Sequence, residues 1–231
     1  VLPTYELEIP SNGKKIKYRP FVVKEEKLLL LALETKDEKQ IEEAVKTTLK
    51  GCIQTRVKIE NLAIFDLEYI FLQIRAVSVG EIVEMKVTCK DDDTTKVQYN
   101  LNLSEVGVIK PEGHTNKIML SDDMGVIMKY PQWNDFIVGS VMGQSPSAEG
   151  IVEIIAECVD QIFDGEDVYD SSTTSKKEFV QFVENITNAQ FEKIQEFFQS
   201  CPRLEHKFTV INPNTGEPSE FVLTGLSNFF G

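Results

Sequence analysis

The hydrophobic period of this sequence switches several times between two residues and three to four, and that switching most restricts the folds open to the chain. At the start, Tyr5-Glu-Leu-Glu-Ile9 and Lys15-Ile-Lys-Tyr-Arg19 alternate about Ser11-Asn12-Gly13, where Asn-Gly supplies the positive φ values of a tight hairpin turn. After Pro20 the period lengthens. Leu28 to Leu33 make one apolar helical segment, and Ile41, Ala44, Val45, Leu49, Cys52 and Ile53 make a stripe on a second, capped by Asp37 and weakened at its end by Gly51. A third helix, about Asp66 to Val77, carries Leu67, Ile70, Phe71, Ile74 and Val77 on one face and stops near Gly80. The three helices are expected to pack together.

Strict alternation then returns in Val83, Met85, Val87 and Cys89, with Val97, Tyr99, Leu101 and Leu103 coming back after a turn at Asp91-Asp92-Asp93-Thr94. Two shorter strands, 116–120 and 126–130, follow, and Pro131 ends the β region. From there to Cys201 the spacing predicts helices only. One carries Ile151, Ile154, Ile155, Cys158, Val159 and Ile162 on a single face; two more, over 176–185 and 188–200, open on the capping-box pairs Ser175/Glu178 and Thr187/Gln190. The polar run Asp164 to Thr174 reads as a mobile loop and the best hinge in the chain. Leu204 to Ile211 and Glu220 to Thr224 close with a last hairpin. The fold class read from this pattern is α+β, with β-hairpins near the N-terminus, in the middle and at the C-terminus and helical segments between them. Two regions are expected: 1–130, with a hairpin, three helices and a central antiparallel β region, and 131–231, helical and ending in the C-terminal hairpin.

With 231 residues, 42% of them hydrophobic, the chain buries a sizeable core without help from disulfides or metals. Its net charge of −13 argues against nucleic acid, whose phosphates need a clustered basic surface, and favours a basic protein partner. No stretch approaches the ~20 apolar residues of a membrane span. Val1-Leu2-Pro3-Thr4 carries neither a basic segment nor a signal core, which reads as a cytosolic chain.

Catalytic chemistry finds little to stand on. The only histidines, His114 and His206, lie in different segments; His206 sits in an alternating strand and His114 in a turn, so both read as structural. Cys52, Cys89, Cys158 and Cys201 are far apart and read as free thiols, mostly buried. A zinc ribbon would need a second thiol three residues after Cys89, where Asp92 stands, so at most Cys89 is the relic of one. Asp91 to Asp93 reads as a polar turn rather than a calcium site, and Asp164 to Asp170 lacks the EF-hand spacing. Phosphate loops, zinc-protease helices and esterase elbows are missing from the sequence. The expectation is a protein that is not an enzyme, with no cofactor, no metal and no small-molecule substrate.

What remains is binding surface. Tyr130, Trp133 and Phe136 form an aromatic cluster read two ways, as interface anchors or as the core of a helix start. Phe197 stands beside the Phe191, Ile194, Phe198 stripe and extends it outward; Phe229 and Phe230 either fold back on the core or insert into a partner. Tyr130, Trp133, Phe136, Phe197, Phe229 and Phe230 are therefore the candidate partner-interface residues.

Longer strings carry a resemblance. KYRPFVVKEEKLLLL (17–31), FDLEYIFLQIRAVSVG (65–80), EGHTNKI (112–118), GVIMKYP (125–131) and CPRLEH (201–206) occur in order over nearly the whole chain. Together they resemble the baseplate hub and hub-assembly proteins of T4-like contractile-tailed bacteriophages. The resemblance implies a late phage protein that works in the host cytoplasm during assembly, or in the virion tail baseplate, by binding other hub or tail proteins. It implies no catalytic residue. It leaves open an assembly chaperone and a permanent hub subunit, with a baseplate-associated cell-wall hydrolase as a remote third.

Overall fold

The computed structural model describes residues 2–35, 37–132 and 148–225. Among these, six α-helices and eleven strands make an α+β fold in small antiparallel sheets. The chain divides into two compact units, Val1–Ile109 with Arg203–Gly231, and Lys110–Pro202.

In the first unit, β1 (Tyr5–Glu8) and β2 (Lys15–Tyr18) pair with Leu7 opposite Ile16, and Gly13 turns the chain at φ +68°. Leu7, Ile9, Ile16 and Tyr18 point inward, as the alternation requires. Two helices follow, α1 (Val23–Thr35) and α2 (Glu38–Cys52); the Asp37 carboxylate accepts from the Gln40 amide and caps α2. Helix α3 (Ile64–Val79) ends at Gly80, whose φ of +109° suits glycine. It is buried on more than the one face expected, Leu72 being as enclosed as Ile70 and Ile74, so it runs through the core rather than along its edge. The expected packing of three helices holds only in part, because α1 keeps Ala32 inside and leaves Leu28, Leu30, Leu31 and Leu33 exposed.

Strands β3 (Ile82–Thr88) and β4 (Lys96–Asn102) form a hairpin, and β5 (Gly107–Ile109) joins the sheet of β10 (Arg203–Ile211) and β11 (Pro218–Thr224) in the order β11-β10-β5. Tyr99 stacks on Phe208 at 3.8 Å between ring centroids, and Cys89 is buried with Phe208 and Val210. The division expected at residue 130 therefore falls elsewhere: the C-terminal hairpin belongs with the first half of the chain, because Arg203 to Glu205 pair with Gly107 to Ile109. Sequence periodicity locates a hairpin and is silent on which strand its free edge meets.

The second unit is a sheet of order β6-β7-β8-β9, formed by β6 (Lys117–Met119), β7 (Met124–Met128), β8 (Val159–Asp164) and β9 (Asp167–Asp170). Helices α4 (Ala148–Cys158), α5 (Lys176–Asn185) and α6 (Asn188–Gln199) supply the rest of its core, with Ile155, Phe179, Val183 and Ile194 packed with Val126, Met128 and Ile162. Both capping boxes form as the spacing predicts.

Two expectations fail here. The stripe Ile151 to Ile162 is not one helix: α4 stops at Cys158 and the chain passes directly into β8, which pairs with β7. The supposed hinge Asp164 to Asp170 is a hairpin turn and strand, with Gly165 at φ +61° and Asp167 opposite Asp164. Val159, Ile162 and Phe163 favour the pleated surface, and pairing with a neighbouring strand overrides the helical spacing. Gly125 on β7 makes the pairing possible; a Cβ there would overlap the Phe163 ring and lie 2.5 Å from the Ile118 carbonyl oxygen.

One buried charge in the first unit yields a prediction. Asp66 is fully buried in the first turn of α3; its Oδ1 accepts from the Ser11 amide at 2.9 Å, while Oδ2 has no hydrogen-bond partner. Burial raises the carboxyl pKa, with the Ser11 hydrogen bonds opposing. A pKa higher in the folded than in the unfolded chain means that the folded state binds the proton more tightly, so the stability contributed by Asp66 falls as pH rises through that pKa. Asp66→Asn is expected to melt above the wild type at pH 8, with the difference shrinking toward pH 4. A variant that melts lower at pH 8 would show that the ionised carboxylate is what the fold uses.

Candidate interaction surface

Helix α1 is fixed from below. Its Glu25 is 6% exposed and accepts from Arg19 Nη2 and from the Val22 amide, both at 2.9 Å. Burial opposes ionisation of Glu25, but the Arg19 and backbone hydrogen bonds outweigh it and hold the carboxyl below the usual range. Arg19 also donates to the Pro20 carbonyl and to Cys52 Sγ, and burial pushes the Cys52 thiol up to about 11. With Glu25 and Ala32 on its inner side, α1 turns Val23, Leu30, Leu31 and Leu33 to solvent, at 77%, 56%, 51% and 47% exposure. Single exposed leucines are ordinary, whereas four large apolar side chains on thirteen residues of one helix make a patch of the kind that marks a binding surface.

Beside the patch runs a groove of about 520 Å³, walled by Leu28, Leu31 and Glu34 of α1 and by Glu43, Ala44 and Thr47 of α2. Its apolar floor and acidic rim are suited to an apolar side chain flanked by a cation.

The structure disposes of the candidate aromatics differently. Tyr130 is half-buried in the second unit and stacks on His114 at 5.7 Å and on Phe197 at 6.1 Å. Phe197 is 2% exposed and belongs to the core of that unit, so it does not extend its stripe outward. The turn of α6 that carries it faces the sheet and His114, and the outer positions of the stripe fall to Phe191 and Phe198, which are only partly buried. Trp133, Phe136, Phe229 and Phe230 lie outside the described residues.

Each histidine is hydrogen-bonded within its own unit. His206 hydrogen-bonds the Tyr99 hydroxyl at 3.0 Å within the first unit. In the second unit His114 Nδ1 hydrogen-bonds Ser200 Oγ at 2.8 Å, and that hydroxyl also lies within reach of the Glu196 carbonyl. Its Nε2 is buried without a hydrogen-bond partner, and burial, helped by Lys110, holds the imidazole pKa low. The aspartates of the β3–β4 turn are engaged as well. Asn212 donates to Asp91 and Asp92, Thr215 donates to Asp91 at 2.6 Å, and Thr95 holds the Asp92 pKa well below its usual value. Among the described residues, no three His, Cys, Asp or Glu side chains gather where they could hold a metal ion.

Comparison with known proteins places this geometry. The family model described as the T4 bacteriophage base plate protein matches residues 2–231. The chain belongs to this family. No curated protein and no solved structure matches it. As a phage baseplate component, it belongs to an assembly built by contact between proteins, and an exposed leucine surface fits that setting. None of the baseplate protein's helices, among the described residues, is long and apolar enough to cross a membrane.

Sequence spacing marks Leu28 to Leu33 as an apolar helical segment packing with two others and does not single it out as a surface. The signal was nevertheless present. Four consecutive leucines, Leu28 to Leu31, point around more than half of a helix at 100° per residue, more than one neighbouring helix covers.

Proposed function

We propose that this baseplate protein serves assembly of the baseplate hub by protein–protein binding, without catalysis, burying the leucine face of α1 against another hub protein, its own copies included. The observation that carries the proposal is the exposure of Leu30, Leu31 and Leu33 on a helix anchored through buried Glu25. A helix with such a face is stable in isolation only because α2 and Arg19 hold its other side, and water is a poor permanent neighbour for it. The acidic rim formed by Glu34 and Glu43, on a chain of net charge −13, directs the face toward a partner with cations around an apolar centre.

The test is affinity capture of the full chain from infected cells, beside quantitative mass spectrometry of purified particles. Baseplate hub proteins are expected among the captured proteins, and a capture that enriches no baseplate protein would overturn the proposal. A fixed copy number in finished particles would make the chain a resident hub subunit; recovery from cells alone would make it a chaperone of hub assembly.

A further inference from the structure

We infer that the outward face of α1 pairs two copies of this chain, antiparallel, about a two-fold axis that passes between Leu30 and Leu31. The inference rests on reading that face as a binding surface and names its occupant.

Glu25 and Ala32 define the inner side of the helix, so at 100° per residue the outermost line runs through Val23, Lys27, Leu30 and Glu34, with Leu31 flanking it on the side of the groove, all of them exposed. Along this line the charges are opposite at the two ends and the centre is apolar. Lys27 and Glu34 stand at equal distances on either side of the midpoint between Leu30 and Leu31. An isologous contact requires a surface complementary to itself after a half-turn, and this line has that property. Turned about the midpoint, Lys27 of one copy lies opposite Glu34 of the second copy at both ends of the seam, while Leu30 of each copy meets Leu31 of the other at its centre. A parallel pairing would place lysine beside lysine and glutamate beside glutamate. The groove beside Leu31 gives the second copy's leucines an apolar recess.

The seam is short. Thirteen helical residues span roughly 20 Å, below what a standard interface of ~1,600 Å² requires, so dissociation in the micromolar range is expected. The net charge of −13 on each copy opposes association at low salt; at ~0.15 M salt, charges separated by more than about 8 Å are screened and the short-range pairs act.

Sedimentation velocity of the full chain at that salt, from about 1 to 200 µM, tests the inference. The wild type is expected to pass from monomer to dimer over this range. Lys27→Glu alone and Glu34→Lys alone each set like charges together twice per dimer and are expected to weaken it about tenfold or more. The double variant Lys27→Glu/Glu34→Lys restores both pairs in the reversed sense and is expected to dimerise like the wild type. A wild type monomeric throughout, singles that dimerise normally, or a double variant no better than the singles would each overturn the two-fold pairing. None of these outcomes touches the broader reading of α1 as a working surface, which fails separately if replacing Leu30 and Leu31 leaves phage assembly intact.

Discussion

Phe197→Ala is expected to destabilise the second unit by about 3–5 kcal/mol, the loss typical of removing a buried aromatic ring and leaving its cavity. Phe197 packs against His114 at 5.2 Å and Tyr130 at 6.1 Å and meets Phe198 edge-on at 5.2 Å. Its removal strips packing from His114 and leaves a cavity beside it, and water entering there would not restore the lost dispersion contacts. Denaturant unfolding followed by far-UV circular dichroism measures the effect, and Phe197→Leu, which keeps most of the volume, should recover the larger part. A loss under about 0.5 kcal/mol is what a surface side chain gives, and it would return Phe197 to the interface role its sequence position had suggested.

That contrast shows where the sequence speaks clearly. Features set by neighbouring residues were legible: the first hairpin, the Asp37 cap, the Ser175 and Thr187 capping boxes and the end of α3 at Gly80 all form as the local chemistry requires, although of the Asn12-Gly13 pair only Gly13 takes a positive φ. Each depends on residues a few positions apart. The failures all involve distant partners. Val159 to Phe163 fit a helix by spacing and a strand by composition, and only β7, with Gly125 clearing room for Phe163, decides between them. The C-terminal hairpin joins the first unit because β5 offers it an edge, which no periodicity announces.

The candidate site was legible only in kind. An acidic chain with two separated histidines and no ligand cluster pointed to binding rather than turnover, and the family match agrees with a baseplate role. Aromatics were preferred because they dominate interfaces in general, yet Phe197 is the sort of residue that a small core claims first. Leu28 to Leu33 were legible as an apolar helical segment but their exposure was not, because α2 covers only one side of their helix.

The second large effect concerns those leucines. Leu30→Glu/Leu31→Glu changes two side chains that are 56% and 51% exposed, and glutamate matches leucine closely in helix propensity. The folded chain should therefore melt within a degree or two of the wild type, a shift of under about 0.5 kcal/mol. Binding should behave very differently. Central apolar anchors each cost about 2 kcal/mol or more when lost, and here two carboxylates would also be forced into the seam, so affinity should fall by roughly 100-fold or more.

The most direct measurement is the yield of infective particles when this double variant is supplied in trans to a phage lacking the gene, with the melting curve taken on the same protein. The account predicts a normal melt and a yield near that of the empty control. A double variant that melts normally and supports wild-type yield would contradict it, since the exposed face of α1 would then have no part in building the baseplate.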